Sequence, residues 1–256
     1  MSDHFYLTLP SDSSVAYYPE NTIARYVTKL PERIRLDGDY EVGLSEIAYP
    51  HTWYNVDNED ERYWIGAFNF VTNEFLISKV SIKSGYYGDG DAFASSLTHQ
   101  TTRAFADIPD ISVKFTFVEH IDRIRMRIQN SNDTIVVLSS ELLEFLGFRR
   151  KLMVTKDMDL NGSVAFDVNR GLNLMYVYCD IAADSTVGDI RAPLLRVCNV
   201  SGEHGRVVHV TYVRPHYVPV RLREFDTVKI AINNELGKPM PFEFGKSVVT
   251  LHFRRR

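Results

Sequence analysis

Apolar and polar side chains alternate most regularly between Ile111 and Gln129. Ile111, Val113, Phe115 and Phe117 alternate with Ser112, Lys114 and Thr116, after which Ile124, Met126 and Ile128 alternate with Arg123, Arg125 and Arg127. A two-residue period sends successive side chains to opposite faces of a strand. The segment therefore reads as a β-hairpin turning near Glu119 to Asp122. Its apolar face needs burial, and its other face turns Lys114 and the arginines outward. The same period recurs from Lys246 to Phe253, where Val249, Leu251 and Phe253 oppose Val248, Thr250 and His252. Gly237, Pro239, Pro241 and Gly245 fence that run off as a strand of its own.

Further strands are expected at Tyr40 to Tyr49, Tyr63 to Phe70, Phe75 to Ile82, Ile135 to Leu138, Val164 to Val168, Leu174 to Ile181, Leu194 to Val200, Val207 to Val213 and Thr227 to Asn233. Leu174 to Ile181 is apolar or amphipathic on both faces, which predicts a central strand or one at a subunit contact. Two helical stretches interrupt the strands. Asp91 is the expected cap of one that runs to about Phe105, with Phe93, Leu97, Thr101 and Ala104 in a stripe; Ser140 is the expected cap of another, stopped by Gly147. The glycines of Gly85 to Asp91 match neither a phosphate loop nor a calcium loop and read as a tight connection into the first helix.

An antiparallel chain with this many strands must protect its sheet edges, and a two-sheet jelly roll does so. The fold class expected is all-β, an antiparallel β-sandwich forming a single jelly roll with two short inserted helices. Tyr40 to Tyr49 and Lys246 to Phe253 are the expected neighbours within it. No repeat and no Pro/Gly/Ser-rich linker marks a boundary, so residues 1–256 read as one domain, with an amino-terminal arm over about 1–36 and insertions at about 85–107 and 139–162.

Hydrophobic residues make up 45% of the 256 and charged residues 24%, which excludes a disordered or fibrous chain. No apolar run approaches the roughly 20 residues of a spanning helix, and the first residues lack the basic start and apolar stretch of a signal peptide. Synthesis in the cytosol follows as the expectation, with no membrane partner. Cys179 and Cys198 are too few for a disulfide framework and are expected to remain thiols. The net charge of −4 gives no general affinity for nucleic acid, so any basic surface must be local.

Several blocks carry a family resemblance: Phe5 to Pro10, Tyr17 to Thr22, Tyr40 to Trp53, Leu172 to Ile181, Val187 to Val197, Pro215 to Val220, Phe225 to Ile232 and the closing Pro239 to Arg256. In this order they resemble the minor capsid, or penton, protein of Polintons (Mavericks), the virus-like DNA transposons of eukaryotes, and of their adintovirus relatives. The resemblance implies a single jelly-roll subunit of a virion capsid. It further implies a homopentamer at each icosahedral vertex and a double jelly-roll major capsid protein as second partner. The protein would be made in the host cytoplasm, with the nucleus open as the place of assembly.

Local signatures of catalysis do not occur: there is no P-loop, Gly-x-Ser-x-Gly, His-Glu-x-x-His or dinucleotide fingerprint. None of the eight histidines has a partner two positions along a strand, the spacing with which jelly-roll metalloenzymes hold a metal. No cofactor, metal, small-molecule substrate or enzymatic activity is expected. The candidate subunit interface is aromatic, with Tyr49, His51, Trp53 and Tyr54 after one strand and Tyr17 and Tyr18 nearer the start. The candidate basic contact face comprises Lys114, Arg123, Arg125 and Arg127 with Arg254, Arg255 and Arg256, for weak contact with packaged DNA or with acidic residues of a neighbour. A different class, a sandwich module binding carbohydrate or peptide through Trp53 and Tyr54, would be monomeric and expose those rings. A sandwich hydrolase would need carboxylates that converge in a deep cleft.

Overall fold

A computed structural model describes residues 3–58, 61–69, 71–72, 74–108, 111–129, 134–149, 153–154, 157–170 and 172–256. The chain opens with strands β1 (His4–Pro10), β2 (Arg25–Arg35) and β3 (Tyr40–Pro50). It continues through β4 (Trp64–Asn69), β5 (Glu74–Ser81), helix α1 (Gly90–Ala104), β6 (Ser112–Val118), β7 (Arg123–Gln129), β8 (Thr134–Leu138), helix α2 (Ser140–Phe145), β9 (Met153–Val154) and β10 (Met158–Asn161). It closes with β11 (Leu174–Cys179), β12 (Ser185–Val187), β13 (Ile190–Ala192), β14 (Leu194–Asn199), β15 (Val207–Thr211), β16 (Tyr217–Pro219), β17 (Glu224–Asn233) and β18 (Val248–Arg255).

Two compact units result, one made of residues 1–53 with 171–256 and the other of residues 54–170. In the first, one sheet runs β1-β18-β3-β15, with β16 also on β3, and the other runs β14-β11-β17-β2. Following the chain, β1, β3, β15 and β18 fall in one sheet and β2, β11, β14 and β17 in the other, all pairs antiparallel. Eight strands distributed in this way form a jelly roll. Tyr40 to Pro50 and Val248 to Arg255 lie side by side, with Phe253 opposite Val42 and Leu251 opposite Leu44. The alternation read from the sequence is realised there: Val249, Leu251 and Phe253 are fully buried. They join Leu44, Ile47, Val177, Val228 and Ile230 in one core between the two sheets. The strand Leu174–Cys179 is central, flanked by β14 and β17, as its two-faced pattern required.

The second unit has its own core, built from β10-β7-β6, β5-β4-β8-β9 and the two helices. The hairpin Ile111 to Gln129 forms as read, with Val113, Phe115, Ile124, Met126 and Ile128 buried. The free edge of β6 is covered by α1. Thr98 Oγ1 donates to the Phe115 carbonyl (3.0 Å) and accepts from its N–H (2.8 Å), while Thr101 Oγ1 donates to the Val113 carbonyl (3.1 Å). Side-chain hydroxyls thus stand in for the missing strand neighbour. The rings of Phe93, Phe145 and Phe166 meet at centroid distances of 5.3 to 5.4 Å in the middle of this core.

Four expectations need correction. The supposed amino-terminal arm is framework: His4–Pro10 pairs along its whole length with β18, and Arg25–Arg35 pairs with β17. Pro31 hid the second of these strands. It is tolerated because β2 is a sheet edge and Pro31 lies where the register with β17 shifts. Instead of a single domain with two separate insertions, both helices belong to one continuous segment with a core of its own, because their apolar faces are buried with Ile65, Val113, Ile124 and Val136. Val164 to Val168 is irregular rather than a strand, with bends at its two ends. Finally, the caps shift by one or two residues. Asp89, not Asp91, accepts from the Ala92 N–H (2.7 Å), and Ser139, not Ser140, from the Leu142 N–H (3.2 Å), since only these precede the first helical residue in extended conformation. Gly147 does end α2 as read: at φ +83° it forms a Schellman turn, with Phe148 N–H on the Leu143 carbonyl (2.8 Å) and its own N–H on Glu144 (3.0 Å).

Candidate interaction surfaces

The aromatic group after β3 divides between core and surface. Tyr49 and Trp53 are fully buried and His51 nearly so. His51 stacks on Trp53 at 4.2 Å, Trp53 meets Phe242 edge-on at 5.8 Å, and the Tyr49 hydroxyl accepts from the Ser201 N–H at 3.0 Å. These three rings therefore knit loops of the jelly roll together and offer no surface to a neighbour. Tyr54 is 46% and Tyr17 65% exposed, and Tyr18 is half-buried. Lys29 Nζ lies 4.5 Å from the centre of the Tyr17 ring.

The basic hairpin face is present but partly neutralised. Strand β10 pairs with β7 and brings Asp159 opposite Arg127. Its carboxylate accepts from Arg125 Nε and Nη2, both at 2.6 Å, and from Arg127 Nη2 at 2.8 Å. The two guanidinium groups hold the Asp159 carboxyl well below the usual carboxylate range. Lys114 is exposed and Arg123 half-buried on the same face. Asp159 was not read from the sequence as part of this face, because it is more than thirty residues from its partners.

The three terminal arginines also separate. Arg254 Nε donates to Glu41 Oε1 at 2.5 Å, and Arg256 Nε lies 3.6 Å from Glu41 Oε2. Arg254 also covers the Tyr217 ring, 3.7 Å from its centre. Arg255 lies instead across Gly38, where a Cβ would come within 3.1 Å of its Nε; Gly38, at φ +104°, leaves room for it. Arg256 lines a cleft of about 270 Å³ with Leu36, Gly38, Asp39, Tyr40 and the segment Pro219 to Arg223. The cleft adds Arg221 and Arg223, which flank Leu222 immediately before β17 and were not singled out from the sequence. On the outward face of the sheet holding β18, Tyr6 stacks on His252 at 4.4 Å, and the Tyr217 hydroxyl lies 2.7 Å from His252 Nδ1. Among the described residues no group of three or more His, Cys, Asp or Glu is placed to hold a metal ion, and no helix is long and apolar enough to cross a membrane.

No protein-family model matches this chain, and no curated protein matches it. Solved structures that share its fold include two that match over nearly the whole of both chains. The mavirus penton protein superposes with a TM-score of 0.50 at 10% identity, covering 98% of this chain and 99% of that one. A chain of the Sputnik virophage structure, determined by cryo-electron microscopy, does so with a TM-score of 0.50 at 9% identity, covering 100% and 98%. The likeness extends over both units and is not confined to the jelly roll.

Proposed function

We propose that this chain is a structural minor capsid (penton) protein of a virus-like DNA transposon, five copies of which close a ring at each icosahedral vertex and contact a double jelly-roll major capsid protein. The observation that carries this reading is the fold shared with the mavirus penton protein over nearly the whole length of both chains. The eight-strand jelly roll supports it, being a rigid box whose loops are free to specialise in contacts. Each subunit presents two different patches to its neighbours, a head-to-tail arrangement that closes when the rotation per subunit fits the ring. Tyr17 and Tyr18 of the jelly-roll unit and Tyr54 of the other unit are aromatic contacts to neighbouring subunits; Tyr49, His51 and Trp53 keep loops of the jelly roll in shape. The protein acts by shape and association, without a catalytic step.

Light scattering on the purified chain tests the ring, with an expected particle of about five times the 29.4 kDa chain mass. A monomer at every concentration overturns it and favours a monomeric binding module. Negative-stain images of the chain expressed with the major capsid protein of the same element test the second contact, with shells carrying density at their vertices as the expected result.

A further inference from the structure

The cleft in the jelly roll collects arginines from two stretches of chain. Arg221 and Arg223 come from the segment before β17, Arg256 directly follows β18, and Arg255, the last residue of β18, lies alongside over Gly38. Backbone hydrogen bonds fix its walls: Leu36 N–H to Arg223 (2.8 Å), Val220 N–H to Tyr40 (2.9 Å), Arg221 N–H to Ile181 (3.0 Å) and Arg256 N–H to Asp39 (2.9 Å). Arg221, Arg223 and Arg255 form no ion pair among the described residues, whereas Arg254 and Arg256 share Glu41. Asp39 is the acidic residue of the lining, and Asp180 acts on Arg221 from nearby. The chain as a whole carries −4, so this concentration of cations is local.

We propose that this cleft seats the phosphodiester backbone of double-stranded DNA. Guanidinium forks match phosphate oxygens bidentately. Several of them on a fixed backbone make a sequence-independent site, in which each phosphate contact releases counterions. An acidic protein segment would offer carboxylates to the same forks, and the competition arm of the test distinguishes it from duplex DNA. The identity of the DNA as packaged genome rests on the capsid reading; the binding itself does not.

The test is fluorescence anisotropy of a labelled random-sequence DNA duplex with the full chain across a salt series. Replacement of both arginines, Arg221→Gln with Arg223→Gln, is expected to weaken binding about tenfold at low salt and to lower the salt slope by about two, near one per lost contact. Arg103→Gln, at an exposed position in the last turn of α1, should leave the slope unchanged. Unaltered binding by the double variant overturns the site, as does polyglutamate that competes as well as unlabelled duplex, which would assign the cleft to an acidic protein segment. Circular dichroism of the double variant confirms that it is folded. Light scattering on the same samples separates the two proposals: a monomer that binds DNA through these arginines sinks the ring alone, and a pentamer that does not bind sinks the cleft alone.

Discussion

The Tyr26 hydroxyl donates to the Leu9 carbonyl at 3.0 Å, joining β2 of one sheet to β1 of the other through the buried core. Burial pushes the Tyr26 phenol well above its ordinary value, so it stays a neutral donor far into the alkaline range. Tyr26→Phe would leave a buried carbonyl short of a donor at a cost of about 1–2 kcal/mol. Urea unfolding should show a lower midpoint with an unchanged slope. An unchanged midpoint would mean that the sheets do not need this tie.

Gly43 has no room for a side chain. A Cβ there would lie 2.9 Å from both the His216 carbonyl oxygen and Pro215 Cβ, on the strand opposite Tyr217. Gly43→Ala should cost about 1–3 kcal/mol, since overfilling a packed site forces backbone to shift. Gly88, where a Cβ meets nothing within 4 Å, is the control, and Gly88→Ala should leave the melting temperature nearly unchanged. Calorimetry on the pair decides the matter, and equal melting temperatures would contradict the packing described.

Both cysteines are buried free thiols, and burial pushes Cys179 up to about 12. Cys198 lies opposite Met175 in the ladder, four residues before Cys179, so the register holds the two sulfurs apart. A thiol reagent at neutral pH should label neither in the native protein and both after denaturation, because the thiolate is the reactive form. Rapid labelling of the native protein would show that the core around β11 opens readily.

Burial lowers the imidazole pKa of both His51 and His252, and for His252 the neighbouring His4 and Arg254 add to the effect. The folded state therefore favours the neutral rings, while the unfolded chain takes up protons at about 6.5. Their contribution to stability is complete above that pH and is lost as pH falls from it through the lower folded values. Denaturation midpoints measured from neutral to mildly acidic pH should decline, and the double replacement of His51 and His252 by Gln should flatten that decline. A decline of equal steepness in the variant would place its origin in other groups.

How far the sequence could be read is clearest in particular elements. The hairpin Ile111 to Gln129 was legible because alternation over several residues is a local consequence of burying one face, and the neighbouring of Tyr40 to Tyr49 with Lys246 to Phe253 because a jelly roll sets an early and the last framework strand side by side. Strand β2 was not, since its Pro31 signals a break unless the strand is known to be an edge. Trp53 read as a contact residue because an aromatic side chain looks the same in the sequence whether Phe242 covers it or a neighbour does.

By itself, the sequence determined the strand-rich class, the faces of individual strands and the two helices, because these follow from the spacing of apolar residues within a dozen positions. Only the tertiary structure decided that Asp159 bridges Arg125 and Arg127, that Glu41 takes up Arg254 and Arg256, and that Arg221 and Arg223 join Arg256 in one cleft. The physical reason is that ion pairing and cleft formation depend on distance in space, and strand register brings together groups that lie tens to hundreds of residues apart in the chain.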